Sequence, residues 1–328
     1  MKSLRKIRVY PLAFESFGVR SMCTLVETND VRILLDAGVS LGPNRFGLPP
    51  HPREYAALRQ CRRRIIEAAE KADVITVSHY HFDHHTPSFT DWANLWSSAE
   101  ISARIYGGKI VFAKNFKSKI NFSQRKRGWL FKKRIEELSV RLEYADGRTF
   151  KFGGTTIKFP PPVFHGRENS ELGWVLMTII EHEGEKVLFA PDIQGPLCDS
   201  TLRLMLNEMA DLAIIGGPPI YLADFRLSGE MISKAVRNIA LLSRRIPIII
   251  LDHHILRDKN WRDWLQKVID DSIKIGHSIF TAAEYIGREN HLLEANRKAL
   301  FEAEPPSREF MQWTKIPMRK RKLITPPI

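Results

Sequence analysis

The chain has 328 residues, of which 44% are hydrophobic and 27% charged, proportions typical of a soluble globular protein with a sizeable core. No apolar run approaches the roughly 18 residues that span a bilayer, and the N-terminus lacks the pattern of a secretory signal, so we expect a cytoplasmic protein with no membrane partner. The three cysteines are far apart, which argues against a disulfide framework or a cysteine zinc site.

The net charge of +13 is concentrated in two segments. Residues 104–134, the basic segment, contain 11 Lys or Arg and no Asp or Glu, and the basic tail from Lys315 adds five more without an acid. Without these residues the chain is close to neutral. Such segments attract anions, whether phosphate esters, nucleic acid or an acidic surface.

Short apolar runs predict strands beginning, in chain order, near Met22, Val31, Val74, Lys109, Thr155, Trp174, Lys186, Leu212 and Ile246. The last two runs are apolar throughout, as in strands covered on both faces. Helical spacing predicts helices at about 53–72, 120–138, 197–209, 229–244 and 258–275, the fourth capped by Ser228. No linker divides the chain, so we expect one α/β domain over 1–328 with sheets inside and helices outside.

The segment SHYHFDHH, residues 78–85, directly follows the predicted strand VITVS. His79 and His81 point to the same side in extended backbone, and Asp83 and His84 follow as the chain turns. Imidazoles and a carboxylate on one loop suit zinc or a similar metal. The alternative is a polar loop of accidental composition, which so dense a pattern makes rare.

Further metal ligands are expected at the ends of other strands. His165 follows KFPPPVF, Asp192 follows KVLFAP, and His253 and His254 follow IPIIILD. Each residue alone is more typical of a cap or a turn, so their order along the chain matters more than any one of them.

This order, HYHFDHH, His165, Asp192 and DHH at 252–254, resembles the metallo-β-lactamase superfamily, and LLDAG with Asp36 is similar to that superfamily's first motif. The similarity extends from about Ser16 to His254. More narrowly, the chain resembles an archaeal group of predicted metallo-hydrolases. The resemblance implies an αββα sandwich whose metal site lies at one edge of the two sheets.

The resemblance also implies a ligand set. The first metal would be held by His79, His81 and His165. The second would be held by Asp83, His84 and His253, and Asp192 would bridge the two metals. Asp36 would orient the loop. His253 is preferred to His254 because it stands first after the strand, while His85 and His254 are candidates to support the ligands, face substrate or lie on the surface.

Two divalent ions, zinc or else manganese or iron, are therefore expected to share a water and convert it to a bridging hydroxide. Asp83 is the candidate catalytic residue, which orients the hydroxide or passes a proton to the leaving group. The motif continues His85-Thr86-Pro87 where many superfamily members have Gly-Gly. Pro87 either removes a backbone donor from the site or begins the next helix.

A phosphate ester is the favoured substrate. SQRKRGWLFKKR, residues 123–134, mixes cations with aromatic rings, so Arg125, Lys126 and Arg127 are candidate phosphate contacts. A solvated helix face is the alternative. Residues 17–38 are similar to the opening of RNA-processing nucleases of the superfamily, which insert a large domain between the bridging Asp and the last His, whereas only 61 residues separate Asp192 from His253 here.

Tyr221 in GGPPIYL is a candidate pocket residue, with a plain turn as the alternative. Three functions remain open. The leading one is a phosphodiesterase or nuclease-like hydrolase acting on an anionic small molecule or nucleic acid. A thioester, lactone or amide hydrolase would use the same metals, and a non-catalytic nucleic-acid-binding protein would keep only the fold. The sequence leaves the oligomeric state open.

Overall fold

The computed structural model describes residues 4–223 and 228–328. Its first sheet contains six strands in chain order: β1 (Arg8–Phe14), β2 (Met22–Glu27), β3 (Arg32–Leu35), β4 (Val74–Val77), β5 (Ile110–Ala113) and β6 (Arg141–Tyr144). The first three are antiparallel, and β3 to β6 are parallel. Parallel neighbours need crossovers, which here are α1 (Pro52–Lys71), α2 (Ala99–Tyr106) and α3 (Phe122–Leu138).

The second half of the chain forms a seven-stranded sheet in the order β15-β14-β13-β12-β11-β8-β7, with β9 and β10 as a separate pair. These strands are β7 (Thr149–Phe152), β8 (Thr155–Lys158), β9 (Val163–Phe164), β10 (Trp174–Val175), β11 (Thr178–His182), β12 (Glu185–Ala190), β13 (Leu212–Gly216), β14 (Ile248–Asp252) and β15 (Ser278–Phe280). The helices that follow α3 are α4 (Asp199–Glu208), α5 (Gly229–Ser243), α6 (Trp261–Lys274), α7 (Ala282–Tyr285), α8 (Arg297–Ala303), α9 (Arg308–Thr314) and α10 (Met318–Arg321).

Alternate residues of the second sheet belong to two apolar clusters. Phe189, Ile214 and Ile250 pack with residues of the first sheet, whereas Ile215 and Ile249 pack beneath α4 to α6. Strands β13 and β14 are buried along their whole length, which confirms the prediction that both faces are covered. The layers therefore run helix, sheet, sheet, helix, and the predicted αββα sandwich is confirmed.

The five predicted helices are present within a few residues of their predicted bounds. α1 begins with Pro52 behind a capping box of His51 and Glu54, and Ser228 accepts a hydrogen bond from the Met231 amide at the start of α5, as predicted. The predicted strand at Trp174 divides into β10 and β11, because the Leu176 amide between them donates instead to the Ser78 carbonyl.

Some predictions were incomplete or wrong. The sequence patterns missed β1 and several short strands at sheet edges, together with α2 and α7 to α10, most of which span eight residues or fewer and carry little periodicity. Pro87 does not begin a helix, because the next helix starts at Ala99 behind the Ser98 cap. No helix within residues 4–223 and 228–328 is long and apolar enough to cross a membrane.

Candidate metal centre

The polar residues predicted as ligands lie together where strands of both sheets end. The loop from His79 to His85 follows β4, Asp192 follows β12, and His253 follows β14. Because β12, β13 and β14 are parallel, their carboxyl ends share one edge of the sheet. His165 reaches the same place from the end of β9.

Asp192 lies at the centre of this cluster. Its Oδ2 atom is 3.1 Å from His79 Nε2, 2.9 Å from His165 Nε2 and 3.8 Å from His81 Nδ1. The ligand atoms of these four residues all lie within 4.8 Å of one another, which is a suitable spacing for a single ion. This is the set predicted for the first metal.

The set predicted for the second metal also comes together. The ligand atoms of Asp83, His84 and His253 lie within 4.8 Å of one another, with His253 Nε2 3.7 Å from Asp83 Oδ2. Asp192 Oδ1 is 3.1 Å from His253 Nε2, and Asp192 Oδ2 is 3.4 Å from His84 Nε2. The Asp192 carboxylate therefore lies between the two sets, where a bridging ligand belongs.

The outer nitrogen of three imidazoles is held by a hydrogen bond. Ser78 Oγ is 2.9 Å from His79 Nδ1, Asp36 Oδ2 is 2.8 Å from His84 Nδ1, and Glu15 Oε2 is 2.7 Å from His253 Nδ1. Such partners fix the ring orientation and raise the basicity of the inner nitrogen. Asp36 also accepts from the Ser78 amide at 2.7 Å, so one carboxylate joins the end of β3 to the motif, the position predicted for it.

Glu15 was not identified from the sequence. It follows β1 and is 4% exposed, and it also pairs with Arg257, whose guanidinium lies between Glu15 and the Tyr221 hydroxyl. The signal that could have found it is the one that found Asp192, an acidic residue directly after an apolar strand. Because β1 was not predicted, Glu15 was not recognised as a residue at the end of a strand.

Three buried atoms at the centre make no hydrogen bond of acceptable geometry among the described residues, although they lie close to one another: His84 Nε2, His165 Nε2 and Asp192 Oδ1. Buried polar atoms are nearly always hydrogen-bonded, so three unpaired atoms converging on one point need an explanation. Imidazole nitrogens and carboxylate oxygens are ligands of zinc and related divalent ions. The donor set therefore fits two such ions.

The charges at the centre favour a cation. Burial lowers the pKa of His79 and of His81, which keeps these imidazoles neutral, as ligands must be. Burial opposes protonation of His253, but Glu15 and Asp192 raise the pKa of its imidazole to about 9. Burial would raise the pKa of Asp192, yet His84 and neighbouring histidines hold that pKa well below the usual range, so the Asp192 carboxylate stays ionised.

Three residues of the centre have left-handed backbone conformations, which are uncommon outside glycine. The φ angles are 49° for Asp36, 54° for Asp192 and 67° for His253. Strain of this kind concentrates at functional sites, where the surrounding structure holds it.

Gly38 is needed for a different reason: a Cβ there would lie 2.2 Å from the His85 amide, so glycine allows the end of β3 to approach the motif.

The remaining candidates occupy different positions. His254 Nε2 is 3.8 Å from Asp192 Oδ1, farther than His253, and its Nδ1 has no partner among the described residues. His85 turns away from the centre: its Nδ1 donates to the His81 carbonyl at 2.9 Å, and its ring contacts Phe82. Tyr221 is linked to the centre through Arg257, which pairs with Glu15.

The three basic candidates on α3, Arg125, Lys126 and Arg127, have different surroundings. The Arg127 guanidinium lies 4.5 Å from the centre of the Phe82 ring, and the Asp83 carboxylate opposes the lowering of the Arg127 pKa by burial. Arg127 therefore faces the loop of residues 79–85, which we call the metal loop. Arg125 and Lys126 are exposed, and one or two helical steps of about 100° point them elsewhere. For these two, contact with a phosphate stays a prediction, with a solvated helix face as the alternative.

Close relatives of the chain are found in archaea. A UPF0282 protein of Methanopyrus kandleri is 45% identical over 294 residues, which are 90% of this chain and 99% of that protein. A UPF0282 protein of Thermococcus kodakarensis is 44% identical over 299 residues, 91% of this chain and 96% of that protein. No protein-family model matches the chain.

Similar solved structures are much more distant. A mutant of the CmlA beta-hydroxylase is 12% identical with a TM-score of 0.47, and the match covers 86% of this chain but only 53% of that one. A metal-dependent hydrolase of the beta-lactamase superfamily is 11% identical with a TM-score of 0.46, covering 84% of this chain and 95% of that one. The archaeal relatives, by contrast, share more than two fifths of their residues over nine tenths of this chain, and the chain belongs to the UPF0282 family.

Proposed function

We propose that the protein is a metal-dependent hydrolase that acts on a phosphate ester, most simply a phosphodiester. The observation that carries the proposal is the position of Asp192 between two sets of buried or half-buried ligand atoms, several of which make no hydrogen bond among the described residues. Structural metal sites are usually closed by four ligands. Two ligand sets sharing a carboxylate are instead the arrangement of two-metal hydrolases.

Two divalent ions, with zinc as the first choice, would supply Lewis-acid activation of water and neutralise charge that develops on the substrate. His79, His81 and His165 would hold one ion, and Asp83, His84 and His253 the other. Asp36, Ser78 and Glu15 keep the imidazoles in place, as the distances above indicate. The protein therefore provides a rigid set of ligands, and little reorganisation is needed when substrate binds.

Asp83 is the proposed catalytic residue. Its side chain is 17% exposed, whereas that of Asp192 is 2% exposed, so a substrate entering from solvent meets Asp83 first. Burial would raise the pKa of the Asp83 carboxyl, but His84 and His253 hold that pKa below its usual value. An ionised Asp83 accepts a hydrogen bond, which suits it to orient a water at the substrate.

Arg127 supports an anionic substrate. It lies at the rim of the centre, beside Phe82 and Asp83, and its guanidinium provides donors with the planar geometry that phosphate oxygens match. Arg127 forms no ion pair with Asp83 among the described contacts, so its guanidinium is available to a substrate phosphate. A neutral ester or lactone would make no use of this cation.

The test is a substrate panel measured with protein reconstituted separately with zinc, manganese and iron. We expect hydrolysis of phosphodiesters to exceed that of thioesters and lactones, and to be lost in His79→Ala together with bound metal. Preferred hydrolysis of a thioester or lactone would overturn the choice of substrate while keeping the metal centre. No hydrolysis of any panel member by protein that contains two metal equivalents would contradict the proposal that the protein is an enzyme.

A further inference from the structure

A cleft of about 230 Å³ lies between α3 and the metal loop, the loop that also carries the proposed ligands Asp83 and His84. We call it the aromatic cleft, and the residues that define it are Phe82, His85, Phe89, Arg127, Leu130 and Phe131. Phe82 and His85 belong to the metal loop itself. A group bound in the cleft would therefore lie beside the substrate's reacting end.

The wall formed by α3 is firmly attached to the metal loop. Gln124 Oε1 accepts a hydrogen bond from the Tyr80 amide at 3.0 Å. A Cβ at Gly128 would lie 2.5 Å from Phe116 Cβ and 2.7 Å from the Tyr80 ring, so only glycine allows this approach. The cleft is thus held by the same contacts that position the metal ligands on either side of Tyr80.

Part of the cleft wall is apolar surface that the protein leaves in water. Phe89 is 42% exposed and Leu130 is 49% exposed, whereas Phe131 at the base is 6% exposed and packs against Tyr80 and Tyr106. The Phe89 ring meets the Phe82 ring edge to face at 5.5 Å. Such a recess matches a flat ring better than a flexible chain, because rigid aromatic walls favour stacking.

The polar atoms of the cleft indicate what kind of ring would bind. His85 lines the cleft and its Nδ1 donates to the His81 carbonyl, so Nε2 is the ring nitrogen left to accept a hydrogen bond from a ligand. Arg127 also lines the cleft, with its guanidinium 4.5 Å from the centre of the Phe82 ring, and the Asp83 carboxylate raises the Arg127 pKa against the effect of burial. The cleft thus combines aromatic walls with an acceptor for an N–H group and a cation on the side of the metal centre.

We infer that the aromatic cleft binds the base of a nucleotide whose phosphate reaches the metal centre. The inference rests on the proposed function and narrows its substrate to nucleotide phosphate esters. A base provides a flat ring with N–H donors, and its phosphate provides the anion for Arg127. Stacking of a base on aromatic side chains is strong enough to change affinity by about tenfold or more.

Binding to the zinc-reconstituted protein tests this without turnover. The probes are the non-hydrolysable phosphonate analogues of adenosine 5′-monophosphate and ribose 5-phosphate, which differ only in the base, and their affinities are measured by calorimetry. We expect the adenosine analogue to bind about tenfold more tightly or better. Leu130→Trp, which fills the cleft, and Phe89→Ala, which removes one wall, should each abolish most of that difference.

Matched controls come from α3 itself. Trp129 and Phe122 are 50% and 84% exposed and do not line the cleft, so Trp129→Ala and Phe122→Ala should keep the preference for the adenosine analogue. Equal binding of the two analogues by the parent protein would overturn the inference, as would controls that lose the preference as fully as the cleft variants do. If the base preference is present but no phosphate ester is hydrolysed, the base site stands and the proposed function fails.

Discussion

Two adjacent histidines after β14 differ in what holds them. His253 Nε2 is 3.1 Å from Asp192 Oδ1, and its other nitrogen is held by Glu15 at 2.7 Å. His254 Nε2 is 3.8 Å from the same oxygen, and its Nδ1 has no partner within the described residues. An oriented imidazole binds a metal better than an unsupported one.

We therefore expect His253→Ala to lose about one of two metal equivalents and His254→Ala to keep both, because among the described residues His253 joins Asp83 and His84 in a ligand set, whereas His254 groups with Asp192 and His253. Elemental analysis after dialysis measures this directly. If His254→Ala loses as much metal as His253→Ala or more, the choice of ligand after β14 is wrong.

At the scale of elements, α3 carries much of the basic segment, but its cations have different surroundings. Arg127 is half-buried and packs on Phe82, while Lys126, one residue earlier, is exposed. A count of basic residues in the sequence does not distinguish Arg127 from Lys126. The helix separates them, because successive residues point about 100° apart around its axis.

Arg127→Gln should raise the KM for a phosphodiester about tenfold, because a charged hydrogen-bond donor is lost at the rim of the centre. It should also reduce the salt dependence of binding by about one unit of slope, as expected for one phosphate contact. Lys126→Gln is the matched control on the same helix and should leave both quantities nearly unchanged. Equal effects of the two substitutions would mean that α3 acts only through its overall charge.

At the scale of the whole molecule, the metal centre joins the two sheets, since its residues follow β3 and β4 in one and β12 and β14 in the other. Ions that bind the folded state alone stabilise it by mass action, by about 4 kcal/mol at a thousand times the dissociation constant. We expect a strong chelator to lower Tm by about 10 °C and added zinc to restore it. In His79→Ala the chelator should lower Tm by clearly less. If the chelator leaves the Tm of the parent protein unchanged, the protein does not hold two tightly bound ions.

A second long-range contact makes stability depend on pH. Glu294, far along the chain, pairs with Arg20 at 2.7 Å and is 7% exposed. Burial would raise the pKa of Glu294, but Arg20, Arg257 and Arg297 lower it to about 2. The unfolded chain therefore takes up the proton first as pH falls, so this stabilisation is present above about pH 4.5 and is lost toward pH 2.

Glu294→Gln should reduce the free energy of unfolding at pH 7 by about 3 kcal/mol, since it leaves the half-buried guanidinium groups of Arg20 and Arg45 without their carboxylate. The difference from the parent should shrink as pH falls from 4.5 toward 2. Urea unfolding at several pH values measures both effects, with the exposed Glu302→Gln as a control. A difference that stays constant with pH would show that the carboxylate charge is not what stabilises this contact.

The sequence by itself determined the order of strands and helices that carry the centre and most of the residues in it. Apolar runs and helical periodicity are local patterns, and α1, α3, α5, β13 and β14 all have strong ones. The cluster after VITVS and the single polar residues after later strands are local as well. Strand ends on one edge of a sheet meet in space, so reading these residues in chain order was enough to predict that they converge.

Tertiary structure alone decided how the ligands are supported and what lies beside them. Glu15 reaches His253 across 238 positions of sequence, and such a contact depends on how the two sheets stack. The separation of Arg127 from its neighbours and the aromatic cleft depend on how α3 docks on the metal loop, which Gly128 permits. Local patterns show which residues are polar or apolar, but only the packed elements determine which side chains share one small volume, because packing brings together positions that are distant in the chain.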